Sequence, residues 1–136
     1  MDVYVFLGRP GEIRKKIKAK KETRLQLLMS LYPGAIRYDK DKVQTTPQDK
    51  MSDIMAQIDD LDHDIEDLKD QLRSSRQQVA DMARELEPMQ ERIIILRYVD
   101  GLKWDDVARA VHRSVRTVHR IHKDTVDKLN VDKNIK

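Results

Sequence analysis

Apolar residues recur by alternate steps of three and four through the middle of the chain, at Met51, Ile54, Ile58, Leu61, Ile65, Leu68 and Leu72. Ser75 interrupts the series, which resumes at Val79, Met82 and Leu86. Five heptads of this kind predict one long helix with an apolar seam, the pattern of a coiled coil. Ile58 and Ile65 at a, with Leu61 and Leu68 at d, favour a parallel pair. Charge favours the opposite orientation. The first half carries Asp59, Asp60, Asp62, Asp64, Glu66, Asp67 and Asp70, and the second carries Arg73, Arg76 and Arg84. Most of these acids fall off the seam and are screened, so the a/d composition weighs more. The expectation is a homo-oligomer joined through residues 51–86. The alternative is that the stripe packs on the chain's own N-terminal helix.

Shorter periodicities follow. Pro88 suits the first turn of a helix, where its missing N–H is not needed, and Met89, Ile93 and Leu96 repeat at helical spacing behind it. Asp100-Gly101 ends that helix, with Gly101 as the cap. Trp104, Val107, Ala108 and Val111 form the apolar face of a second helix, so Trp104 reads as core. A tight turn through His112 and Arg113 leads to Ser114, which can cap a third helix. His112 has no glycine's freedom in that turn, which predicts a left-handed or slightly strained backbone. On the third helix Val118, Ile121, Thr125 and Leu129 line one face, and Arg116, Arg120 and Lys123 line another.

Before the heptads, residues 12 to about 31 predict a helix with Ile13, Ile17, Leu25, Leu28 and Leu31 inward and many lysines outward, ended by Pro33-Gly34. The Lys15–Arg24 run can meet DNA phosphates, solubilise its helix, or pair with the acidic face of the next one. Residues 43–49 read as an extended linker whose Thr46 or Asp49 caps the following helix. MDVYVFLGRPG at the start has a short apolar run without a basic flank, and reads as neither a signal peptide nor a membrane span. The tail VDKNIK reads as frayed.

Composition sharpens this. Charged residues make up 38% of the 136 and aromatics 4%, too polar for one large core and suited to helices that bury stripes. The net charge of +3 is unevenly spread. Residues 12–42 hold ten Lys/Arg against four Asp/Glu, residues 49–87 five against twelve, and residues 88–136 eleven against seven. This suggests basic binding ends and an acidic spacer, whose like charge can keep DNA off it. No cysteine occurs, so disulfides and thiolate metal sites are excluded, and a reducing, intracellular setting is expected.

The third helix carries the candidate chemistry. A helix entering the major groove near its N-terminus needs long donors there, because arginine reaches guanine edges bidentately and lysine holds phosphates. Arg116, Thr117, His119 and Arg120 are expected at bases, Arg113 and Lys123 at the backbone, and Ser114 at the cap. His112, His119 and His122 cluster without a further ligand at helical reach, so no metal is expected. None of the four glycines forms a phosphate-cradling loop, no hydrolase or zinc-protease motif is present, and the acids lack an apolar setting. No catalytic centre and no cofactor are expected.

From Leu86 to Leu129 the sequence resembles region 4 of bacterial sigma factors, the part that reads the −35 promoter element. The matching features are ERIIILRYVDGLKWDDVARAV, then Ser114, then VxRIxxxxVxKL from Val118. More narrowly, residues 12 to 130 resemble sigma-like regulators of phages and prophages of low-GC Gram-positive bacteria, of the ArpU and RinA type. Those also carry a stretch like IRYDKDKVQTTPQDK (Ile36–Lys50), the most specific part of the likeness. The resemblance implies a DNA-binding activator of phage late or host genes in the bacterial cytoplasm, with double-stranded DNA and RNA polymerase as partners and no membrane. Arg116 stands where housekeeping sigma factors commonly have an acidic base-reading residue, which moves the preferred base from cytosine toward guanine.

The sequence therefore predicts an all-α protein of three segments: a basic helix and linker (1–50), an acidic coiled-coil helix (51–86) and a helix-turn-helix (87–136). The expected function is sequence-specific transcription regulation on two half-sites. The alternatives are a polymerase-docking interaction protein and the small subunit of a phage DNA-packaging terminase. The latter usually places its DNA-binding part first, whereas here it is last.

Overall fold

The computed structural model describes residues 2–32 and 47–134, and side chains of residues 2–32 and 49–131. Among these residues the chain is all-α: α1 (Val3–Met29), α2 (Pro47–Ala83), α3 (Pro88–Ile94, continued by a π-helical turn Ile95–Val99), α4 (Trp104–Val111) and α5 (Val115–Asn134). Pro33-Gly34, Thr46 and most of the Ile36–Lys50 stretch lie outside the described residues; Asp49 sits in the first turn of α2. The helical backbone continues to Asn134, into the tail that was expected to fray.

The chain divides into two compact units. One is Arg14–Asp70; the other joins Met1–Ile13 to Gln71–Lys136. The cause lies in the first turns of α1. Sequence reading starts this helix at residue 12, but it begins at Val3, with the Asp2 carboxylate accepting from the Tyr4 N–H at 2.9 Å. Val3, Phe6, Leu7 and Pro10 then fall at i, i+3, i+4 and i+7, one apolar stripe. Val3 and Leu7 are buried in a core with Val79, Ala83, Leu86, Ile94, Val99, Val126 and Leu129, flanked by Phe6, Met82, Ile95 and Tyr98. Pro10 interrupts the hydrogen-bond ladder, but it is itself buried.

In the Arg14–Asp70 unit, two ion pairs fix α1 and α2 antiparallel: Arg24 Nε to Asp62 at 2.5 Å and Lys20 Nζ to Asp64 at 3.3 Å. The Arg24 guanidinium holds the Asp62 carboxyl below its ordinary range. Ile54, Ile58, Ile65 and Leu68 are all buried within the single chain, as is Ile17 of α1. These four seam positions are thus buried within the chain, whereas Met51 is 52% exposed and Leu61 and Leu72 are half-buried. Leu25, expected inward, is 56% exposed. The acids Asp59, Asp60, Asp64, Glu66, Asp67 and Asp70 stay on the exposed side.

A second core lies beside the first in the larger unit: Ile93, Val107, Ala108, Val111 and Val118, with Met89, Leu96, Leu102, Trp104, Val115 and Ile121 packed around them. Adjacent isoleucines thus serve different cores, Ile94 facing the one with Leu7 and Ile93 the one with α4 and α5. A helix buried on two sides reads as a continuous apolar run, which accounts for Ile93-Ile94-Ile95.

Candidate nucleic-acid interface

Local backbone chemistry sets the three-helix geometry. Glu87 occupies the N-cap of α3, Pro88 follows at the first helical position, and the Gln90 side chain accepts from the Glu87 N–H at 3.4 Å. At the other end the helix widens into its π turn. The Asp100 N–H donates to Ile95 O, the Leu102 N–H donates to Leu96 O at 3.0 Å, and Gly101 takes φ 76°. Only glycine adopts that conformation at no cost, as the cap pattern predicts. Arg97 braces the end, donating to Leu102 O at 2.9 Å with its guanidinium 4.6 Å from the centre of the Trp104 ring.

The turn between α4 and α5 is closed by a left-handed residue. His112 has φ 58° and ψ 43°, its N–H donates to Arg109 O, and the Arg113 N–H donates to Ala108 O. A non-glycine residue here carries strain of about 1–2 kcal/mol. Ser114 caps α5 as expected: its Oγ accepts from the Thr117 N–H at 3.1 Å and donates to Thr117 Oγ1 at 2.9 Å. Such a cap contributes about 1 kcal/mol.

The expected DNA-contacting residues separate into two groups. Arg113, Arg116, Arg120 and Lys123 are all exposed at the start and along one face of α5. Arg116, Arg120 and Lys123 fall at i, i+4 and i+7, so one stripe carries them. Asp127 continues the stripe and is also exposed, so the basic face ends after Lys123. Thr117 and His119 each also contact a neighbour. The Thr117 hydroxyl is half-buried and engaged with Ser114. The His119 ring packs on Trp104 with centroids 4.7 Å apart.

Val118, Thr125 and Leu129 are buried as predicted, joined by His122 and Val126. His122 sits between Tyr98, with a 2.6 Å hydrogen bond to the hydroxyl, and Trp104, whose ring meets it edge-on at 4.7 Å. Burial pushes this histidine down to about 4, and His119 and Arg97 add to the shift. The neutral ring is therefore the form that packs. Among the described residues no group of acids and histidines is arranged to hold a metal ion, and no helix is long and apolar enough to cross a membrane.

Sequence reading missed the contribution of Arg92. Its guanidinium reaches across from α3 to the Ala110 carbonyl at 3.3 Å, beside the α4–α5 turn. Eighteen residues separate the two, and no local pattern links them.

An α-helix, a tight turn and a capped helix with exposed arginines on its first turns define a helix-turn-helix. Residues 76–123 match the family described as Sigma-70, region 4. That segment is a sigma region 4-like helix-turn-helix, a kind of domain that binds DNA, and it spans about a third of the chain. The match starts inside α2 and excludes the α1 turns that pack on it. No curated protein and no solved structure matches the chain.

Proposed function

We propose that this protein is a sequence-specific DNA-binding transcription regulator that lays the first turns of α5 in the major groove. One observation carries the reading: Arg116, Arg120 and Lys123 form an exposed stripe on a helix capped at Ser114, within the region 4-like segment. Arg116 and Arg120 would read base edges, with Arg113 and Lys123 on the backbone. The likeness to ArpU- and RinA-type regulators supports a phage or prophage activator as the setting.

The test is selection of binding sites from a random duplex library, followed by titration of Arg116→Ala and Arg120→Ala. Each substitution is expected to weaken the selected site by about 1–3 kcal/mol and relax one base position. Equal binding by the double variant and the wild type would refute the assignment. Salt-sensitive binding without enrichment would favour a domain that docks on polymerase.

Two half-sites would require two copies, joined through residues 51–86 or through another surface. Burial of Ile54, Ile58, Ile65 and Leu68 within one chain favours a monomer, while Met51, at 52% exposure, and the partly exposed Leu61 and Leu72 stay open to a second copy. Sedimentation equilibrium of the free protein is expected to return the mass of one chain, 16.0 kDa. A mass of two chains would favour pairing, with residues 51–86 the first surface to test.

A further inference from the structure

Two guanidiniums gather at the α4–α5 turn. Arg113, within the turn, donates to its neighbour's carbonyl, His112 O, at 3.2 Å. Arg92, from α3, donates to Ala110 O at 3.3 Å. Both side chains are exposed, and neither is paired with a carboxylate among the described residues. Arg109, nearby on α4, differs: Asp106 neutralises it at 3.0 Å.

A guanidinium has five N–H donors in a rigid fork. The Ala110 carbonyl engages one of its nitrogens, which leaves most of the donors and the full charge directed to solvent. The carbonyl also fixes where that charge sits, one turn of chain from the capped start of α5. A cation held in place loses little freedom when an anion docks on it. The anion that the proposed function brings to this turn is the phosphate backbone flanking the groove that α5 enters.

We propose that Arg92 is a DNA-phosphate contact, acting with Arg113 as a two-guanidinium clamp at the turn. The inference rests on the DNA-binding reading above. It adds a contact from α3, which lies outside the two helices that define the motif. Arg92 contributes affinity and register and leaves base preference unchanged, because phosphates carry no sequence information directly.

Arg92 also satisfies an orphan carbonyl near the end of α4, so a purely structural role must be distinguishable. Salt dependence does this. Each phosphate neutralised contributes about 0.9 to the slope of log K against log salt. Binding of the full-length wild type, Arg92→Ala, Arg92→Lys and Arg116→Ala is measured from low to physiological salt, on the selected duplex and on a random one.

The expected result is that Arg92→Ala lowers the slope by about 0.9 on both duplexes and weakens both by the same factor. Arg92→Lys keeps the slope, and Arg116→Ala mainly affects the selected duplex. An unchanged slope in Arg92→Ala, with Arg116→Ala impaired, would overturn the clamp and leave the DNA reading intact. Loss of binding with an unchanged slope and a lowered unfolding midpoint would assign Arg92 to capping alone. Failure of the wild type to bind either duplex would overturn both readings.

Discussion

Leu7→Ala is expected to destabilise the DNA-binding unit by about 2–5 kcal/mol, although Leu7 lies far outside the helix-turn-helix in sequence. The side chain is 0% exposed and shares its core with Ile94 and Val99 of the α3 region and Val126 and Leu129 of α5. Truncation removes its transfer free energy and leaves a cavity in a site closed on several sides, where relaxation is limited. A domain of this size is stable by about 5–15 kcal/mol, so the loss is a large fraction of the total. Denaturant unfolding followed by Trp104 fluorescence measures it, since the only tryptophan reports on this unit. An unfolding midpoint equal to that of the wild type would mean that α1 is not part of this core in solution.

Acidification from pH 6.5 to 4 is expected to destabilise the same unit by about 3 kcal/mol through His122 alone. Tyr98 and Trp104 pack on the ring, Tyr4 lies 6.3 Å away between centroids, and His119 and Arg97 disfavour a further positive charge. Folding lowers this histidine from the ordinary 6.5 to about 4. Between those values the unfolded chain binds a proton that the folded chain refuses. Stability from this group is therefore complete above pH 6.5, falls as pH drops, and levels off below 4. His63 differs in sign. It lies on the exposed acidic side of α2, its Nδ1–H donates to Asp59 O at 2.9 Å, and it is raised above its usual range. Its contribution is fully present below 6.5 and is lost only as pH rises beyond that. Urea unfolding at successive pH values should show the slope in the wild type and a flatter profile in His122→Phe. Equal slopes in the two proteins would remove His122 as the cause.

What was legible in the sequence follows from the range of each interaction. Pro88, Gly101, His112 and Ser114 act within a few residues of themselves, so type and spacing were enough to place their caps and turns. The exposed stripe Arg116, Arg120 and Lys123 needs only helical periodicity. The heptad series marked Ile54, Ile58, Ile65 and Leu68, which are buried, along with Met51, which is 52% exposed; a stripe does not name what covers it, and Arg24–Asp62 brings α1 alongside α2. The first turns of α1 were concealed by Gly8, Pro10 and Gly11, whose local preference is overridden by burial of Val3 and Leu7. Sequence offered Thr117 and His119 as contacts without showing that Thr117 Oγ1 accepts from Ser114 or that the exposed His119 ring packs on Trp104. Arg92 was missed because its partner is set by tertiary packing.

The core that holds Leu7 has a consequence for the order in which the molecule assembles. Val3 and Leu7 leave the ribosome long before Val126 and Leu129, yet the four share one interior. Such distant contacts must close a long stretch of chain before they contribute stability, which slows folding. The α1–α2 pairing around Arg24 and Asp62 involves nearer partners and can form while synthesis continues. α5 would gain its support last, so a nascent chain interrupted before it would lack the helix that carries the Arg116, Arg120 and Lys123 stripe.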